Sequence, residues 1–510
     1  MIKAAFLLFC SLTFITPATA DWHEVKSDNF IVYADAELEQ AKKLVEDLEV
    51  FRSYLASLVG IEPQSISVPL EIYWLKSNRE YRKLVNSRTL GVYTTTQAGP
   101  VAAVNGKRNY RQPDLSPTSV LFHEYVHHFM YQFSNRRYPR WYREGYADFL
   151  ATYKKEGDIY SVGGVAISRL QALVLKKGGA PTRCLLRYGL RDVDSGTGCK
   201  QLMFYPQAWA TTYLFMIDEE LSQKFPLYMD MLLAGKEPVK AFEDLYGFSI
   251  KVIREKVYEL RTKRLFRRLE YKFINSDTAK ISAKRMDKRE ITIAKLKLLK
   301  TFDTRKHEKS RSFSRFKNAT KNFKGDPEIL ALYAWAHETV DRLPDGLTML
   351  QKLPSNIRSK EGIVTTEAMI EMDLLSKKHA SGNSSKENLA RMTTLRRPIL
   401  EHLKTNPLDL YARYLFSYSL VHSSKPNIEG AIKILTDLYN LYPQFINGRF
   451  LFGQAYMLMG EKHEACLMLD GLYWNTYSQI TKKKILDILQ FENETLLNCA
   501  ALKADYPDAG

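Results

Sequence analysis

Residues 123–127 read His-Glu-Tyr-Val-His, a string that serves a fold best in one conformation. Side chains four apart on an α-helix share a face, so a helix turns His123 and His127 the same way with Glu124 beside them. An extended strand would hold the two imidazoles roughly 13 Å apart. The flanking residues favour the helix. Ser116-Pro117 offers an N-cap hydroxyl followed by proline at the first helical position. Phe122, Val126, Phe129 and Phe133 then fall at i, i+4, i+7 and i+11, an apolar stripe suited to burial. The two histidines lie beside that stripe, next to Val120, Met130 and Tyr131. A surface helix with two exposed histidines would have no need of it.

Two imidazoles on one helix face can share a zinc ion, and a hydrolytic zinc site wants a third protein ligand plus one open position. A second helix is predicted from Pro139 through Trp141, Glu144, Gly145 and Asp148. The short connection 134–138 makes the two helices antiparallel neighbours, which can bring Glu144 back to the histidine pair. Gly145 inside a helix costs about 1 kcal/mol relative to alanine, and close approach of the two helices at the metal would explain it. Asp148, four residues after Glu144, shares its face and can accept the second ring N–H of a ligating histidine. The plain alternative for this pair of carboxylates is a solvated acidic edge. His128 points about 100° away from His127 and reads as a packed or surface histidine.

These strings, His123-Glu124-x-x-His127 and Trp141-x-x-Glu144-Gly-x-Ala-Asp148, resemble the gluzincin metallopeptidases, most closely the peptidase-MA-like group with helical repeats behind the protease domain. The resemblance implies one zinc ion per chain, held by His123, His127 and Glu144. It also implies Glu124 as general base and Asp148 as the carboxylate behind the ligands. Gluzincins usually add a tyrosine or histidine that stabilises the oxyanion. Tyr205, opening the run Phe204–Tyr213, is either that group or a core tyrosine at a helix start.

The chain opens with Lys3, an apolar run over residues 4–15 and an Ala18-Thr-Ala20 ending, the pattern of a cleavable signal peptide over residues 1–20. The expected product is exported, periplasmic or secreted, with no transmembrane helix after cleavage. Cys184, Cys199, Cys466 and Cys499 then allow two disulfides in three pairings, with the local pairs 184/199 and 466/499 favoured. The loop 192–198 would gain most from such a staple. Residues 21–262 form the predicted peptidase domain. Strands are expected at 29–34, 68–74, 90–96 and 100–104, with an amphipathic helix over 37–59 and mostly helices from 166 to about 260. Gluzincins pair substrate backbone with an edge strand, a role assigned here to 93–104, where a plain structural hairpin is the alternative.

Between Arg261 and Lys324 stand 22 Lys and Arg against 6 Asp and Glu, a net +16 of the chain's total +17. Residues 263–325 are read as a basic helical segment or degenerate repeat, with Ile291, Ile293, Leu296, Leu298 and Leu299 spaced for packing. A solvated face is the plain reading of such a run. Otherwise it would meet an anionic envelope surface or an acidic partner, export excluding nucleic acid. Over residues 326–510 a repeat emerges. Pro407, Tyr414, Ser417, Ser419 and Leu420 align with Pro443, Phe450, Gly453, Ala455 and Tyr456, thirty-six apart, and Gly430-Ala431 with Glu464-Ala465, thirty-four apart. That period with small residues at helix contacts resembles tetratricopeptide repeats, which stack into a solenoid with a concave face for a protein partner.

The fold expected is an α+β N-terminal zincin-like protease domain followed by an all-α TPR-like helical solenoid. The function expected is zinc-dependent hydrolysis of peptide bonds, the repeats recruiting substrate or partner. The alternative is a non-catalytic envelope scaffold that binds through its repeats and basic patch.

Overall fold

The computed structural model describes residues 22–492 and Cys499, apart from 62–67, 86–88, 108–113, 133–137, 176–178, 188–198, 200–202, 235, 265, 273–278, 303–310 and 476–478. The expected signal segment 1–20, Phe133 and the loop 192–198 lie outside the described residues.

The first region alternates strands and helices: β1 (Trp22–Lys26), β2 (Phe30–Asp35), α1 (Leu38–Leu58), β3 (Leu70–Leu75), α2 (Asn78–Leu84), β4 (Gly91–Thr96) and β5 (Gly99–Asn105). Two helices follow, α3 (Pro117–Gln132) and α4 (Arg140–Leu150), then the hairpin β6 (Lys154–Glu156) and β7 (Ile159–Val162). Next come α5 (Ile167–Leu175), α6 (Thr182–Leu186), α7 (Phe204–Ile217), α8 (Glu219–Leu233), α9 (Pro238–Tyr246) and α10 (Lys251–Lys263). Strands β8 (Leu269–Lys272) and β9 (Ser282–Arg285) precede α11 (Lys288–Phe302) and α12 (Arg311–Asn322).

The main sheet is mixed, in the order β4-β5-β3-β2-β1-β9, with β2, β3 and β5 parallel and the remaining pairs antiparallel. Alternation along the strands sets its two faces. Val32, Ala34, Ile72, Trp74, Ala102 and Val104 pack with α1 and α3, around Phe51, Phe122 and Tyr125. Tyr33, Tyr73, Val101 and Ala103 pack on the other side with α2, α11 and α12. Ile293, Leu296, Leu298 and Leu299 of α11 are buried there, each worth roughly 1.5–3 kcal/mol over exposure. The apolar side of the basic stretch therefore covers a sheet.

The expected boundary at 262/263 does not survive as a structural break. The stretch read as a basic helical segment begins with two strands: β8 pairs with β7 in a sheet of order β6-β7-β8, and β9 pairs with β1. Both are short, charged and mostly solvent-facing, which suits edge strands and erases the alternation that marks half-buried ones.

From residue 327 onward every described element is helical: α13 (Pro327–Ala336), a 3₁₀ turn at His337–Val340, α14 (Leu343–Gln351), α15 (Ser355–Arg358), α16 (Glu361–Ala380), α17 (Lys386–Thr405), α18 (Leu410–His422), α19 (Ile428–Leu441), α20 (Ile446–Leu458), α21 (Lys462–Asn475) and α22 (Gln479–Leu489). Consecutive helices from α16 to α22 pack on one another. The bounds of α18 and α20 differ by thirty-six residues at both ends, and those of α19 and α21 by thirty-four. Ser417, Ser419 and Ala455 are fully buried at the contacts. The helical region meets the sheet at the β4–β5 hairpin, where Tyr93 donates to Gln444 at 2.6 Å, and Val68 joins the helical core.

No helix among the described residues is long and apolar enough to cross a membrane. Cys184 pairs with Cys199 and Cys466 with Cys499, an arrangement compatible with export.

Candidate metal centre

Helix α3 starts as its sequence asks, with Ser119 N–H donating to Ser116 Oγ at 3.1 Å. Phe122, Val126 and Phe129 face the core, which fixes the rotation of the helix and turns His123 and His127 toward a cleft. Helix α4 packs against α3 and, more extensively, against α7. Gly145 belongs to that second contact. A Cβ there would collide with Thr212 Oγ1 and the Ala208 carbonyl of α7, so the expectation that it serves close approach at the metal is corrected. Lacking a side chain at this position, α4, which carries Glu144 and Asp148, lies close against α7.

Together the two helices bring His123, His127 and Glu144 to one point. His123 Nε2 and His127 Nε2 are 3.2 Å apart, and Glu144 Oε2 lies 3.6 and 3.5 Å from them. Tetrahedral ligands at about 2.0–2.1 Å from an ion stand roughly 3.3–3.4 Å from one another. Two imidazole nitrogens and one carboxylate oxygen at this spacing fit zinc and leave a fourth direction open to the cleft.

Asp148 is buried behind the triad. Its carboxylate accepts from His123 Nδ1 at 3.0 Å, from Arg169 Nε at 2.7 Å and from Arg169 Nη2 at 3.1 Å. With Nδ1–H so engaged, Nε2 is left as the ligand lone pair. Burial pushes the Asp148 carboxyl up, but the His123 hydrogen bond and the Arg169 charge outweigh it and hold the group below its ordinary value. Burial lowers the His123 pKa, yet bonding to Asp148 and Glu144 carries it up to about 10. Glu144 is the mirror case: burial raises it, and the two histidines hold it well below the carboxylate range. Binding of a dication requires the His123 Nε2 to be free of a proton, so metal and proton compete for it.

Glu124 lines the same cleft and is pushed up by burial, against the pull of His123 and His127. A carboxylate with a raised pKa is suited to taking a proton near neutral pH. Gly91 of β4 leaves room for it: a Cβ there would stand 2.9 Å from Glu124 Oε1 and 2.5 Å from Val120 Cγ1. Tyr205, at the start of α7, is 41% exposed and lines the cleft, so it is no core tyrosine. Burial and the Glu144 charge raise its pKa, which keeps the phenol a hydrogen-bond donor. His128 is buried away from the triad, its Nδ1 3.3 Å from the Tyr93 hydroxyl.

The stretch 93–104 divides. β4 is the sheet's edge and lines the cleft, whereas β5 lies between β4 and β3 and has no free edge. Sequence reasoning missed Arg169 and Gly91. Nothing local distinguishes Arg169 among 74 Lys and Arg, and nothing within the expected strand 90–96 shows that Gly91 lies against Glu124.

The chain matches no known protein family, no curated protein and no solved structure.

Proposed function

We propose that this protein is an exported zinc-dependent peptidase of gluzincin type, with a TPR-like solenoid that recruits substrate or partner. The observation that carries the reading is the convergence of His123, His127 and Glu144 at the spacing of tetrahedral zinc ligands. A zinc ion held there supplies Lewis acidity and a nucleophilic water at neutral pH. Glu124 accepts the proton given up by the attacking water and carries it to the leaving amine. Tyr205 donates its phenolic hydrogen to the oxygen that gains charge as the carbonyl becomes tetrahedral. Asp148, backed by Arg169, keeps His123 in the tautomer that ligates. The edge of β4 is available to align an extended peptide across the cleft. What supports the solenoid is the matching register of α18 with α20 and of α19 with α21.

Glu124→Gln is expected to abolish hydrolysis of a peptide library while zinc stays stoichiometric by metal analysis, and His123→Ala to lose the zinc. A Glu124→Gln protein that cleaves as fast as the parent would refute the mechanism. Stoichiometric zinc with no cleavage by the parent would shift weight to the scaffold reading.

A further inference from the structure

The cleft over the triad, about 1130 Å³ in volume, has walls of different charge. On the β4 side Thr89, Leu90, Gly91, Val92 and Tyr93 carry none. Elsewhere its lining holds Asp114, Glu124, Glu144 and Asp148 together with Lys154, Arg169, Arg264 and Arg268. Each acid already has an occupation. Glu144 and Glu124 face the histidines, and Asp148 holds His123 and Arg169. Asp114 accepts the Ser168 N–H at 2.8 Å, at the start of α5. Arg169 is taken up by Asp148. Lys154, Arg264 and Arg268 remain, and none has an ion-pair or hydrogen-bond partner among the described residues. A bound zinc ion would make the cleft more positive still.

These three cations stand on fixed backbone. Lys154 opens β6 and Arg268 directly precedes β8; both strands flank β7, through the pairs Lys154↔Ser161 and Leu269↔Val162, so the two cations share one end of that small sheet. Arg264 ends α10 in the left-handed region at φ 54°, a position usually given to glycine. The segment behind it is clamped: Tyr213 Oη donates to the Arg267 carbonyl at 2.9 Å and accepts its N–H at 2.7 Å. Phe266 packs beside Trp209 and Tyr213. Several other cations of the basic stretch are neutralised, Arg267 by Glu219, Arg289 by Asp326, Lys295 by Glu80 and Lys297 by Glu328.

Resting on the peptidase reading, we propose that Lys154, Arg264 and Arg268 determine specificity by selecting peptides that carry carboxylates beside the scissile bond. The carboxylate comes from Asp or Glu side chains or from a free C-terminus, and blocked and unblocked peptides tell the two apart.

The test uses the zinc-loaded full chain and quenched peptides of one sequence, with Glu or Lys flanking the scissile bond and both termini blocked. For a cleft with three unpaired cations, kcat/KM for the Glu peptide should exceed that for the Lys peptide by about tenfold at low salt and approach parity at high salt. In the exposed double variant R264E/R268E the order should reverse with zinc content unchanged. A neutral peptide that gains the same factor from unblocking its C-terminus assigns the wall to a terminal carboxylate. Equal rates for blocked Glu and Lys peptides, with no gain from a free C-terminus, overturn the proposal and leave the peptidase reading intact. Fluorescence anisotropy of the same peptides on zinc-loaded Glu124→Gln protein separates the two ideas. Tighter binding of carboxylate peptides that is lost in R264E/R268E supports the cationic wall even if nothing is cleaved. Binding without preference overturns it.

Discussion

Asp148→Asn isolates the link between the buried ion pair and the proposed metal centre. The amide keeps the shape and can still accept from His123 Nδ1, but it removes the charge that Arg169 grips through two nitrogens at 2.7 and 3.1 Å. Two costs follow. Loss of the carboxylate behind a ligating histidine weakens metal binding about 10–100-fold, or roughly 1.4–2.7 kcal/mol. Breaking a buried ion pair from one side costs about 3–5 kcal/mol. Arg169 keeps 22% of its side chain exposed and rehydrates in part, so about 2–3 kcal/mol of stability is the reasonable figure here. Competition against a chromophoric chelator measures the first cost and urea unfolding of the metal-free protein the second. The double variant Asp148→Asn/Arg169→Met separates them. Removing both charges should return the stability to within about 1 kcal/mol of the parent, while zinc affinity stays low because His123 still lacks its carboxylate. An Asp148→Asn protein that binds zinc within threefold of the parent would refute a role for the carboxylate charge behind His123.

Three further outcomes are expected. Gly91→Ala places a Cβ 2.5 Å from Val120 Cγ1 and 2.9 Å from Glu124 Oε1; overpacking of this kind costs about 1–3 kcal/mol, and turnover should fall while zinc content stays at one per chain. Tyr205→Phe should lower kcat by about 10²–10³ with KM little changed, because the lost hydrogen bond acts on the transition state; a rise in KM alone would make it a binding residue. The His422 imidazole is lowered to about 4 by burial and by His379. Its folded pKa lies below the unfolded value of about 6.5, so the unfolded chain binds the extra proton between those limits. The stability it contributes is complete above pH ~6.5 and is lost toward pH ~4 at about 1.4 kcal/mol per pH unit at most. Urea unfolding at several pH values should show a shallower acid loss for His422→Gln than for the parent.

Legibility in the sequence followed the range of the interactions concerned. The α3 helix, its Ser116 cap and its buried stripe could be read because each depends on residues within a few turns of one another. Glu144 and Asp148 could be placed because a short connection leaves two helices little choice but to lie side by side. The helical character of the C-terminal region was legible for the same reason, since each helix carries its own periodic pattern. Strand β9 was not legible: four exposed residues joining β1 from the far side of the chain carry no pattern of their own. Gly145 was read as serving α3 because α7, its real neighbour, starts some sixty residues later in the chain. Arg169 is the sharper case. Its identity as an arginine is plain in the sequence, but its meaning comes from facing Asp148, twenty-one residues earlier, across a buried contact. The same logic divides the basic stretch. Its net charge was visible at once, yet which charges are spent and which are free depends on partners scattered from Glu80 to Glu328. Of the cations that folding leaves unpaired, Arg264 and Arg268 are the two of this stretch that line the cleft over the His123/His127/Glu144 triad, so the chemistry open to the cleft depends on where the chain places them.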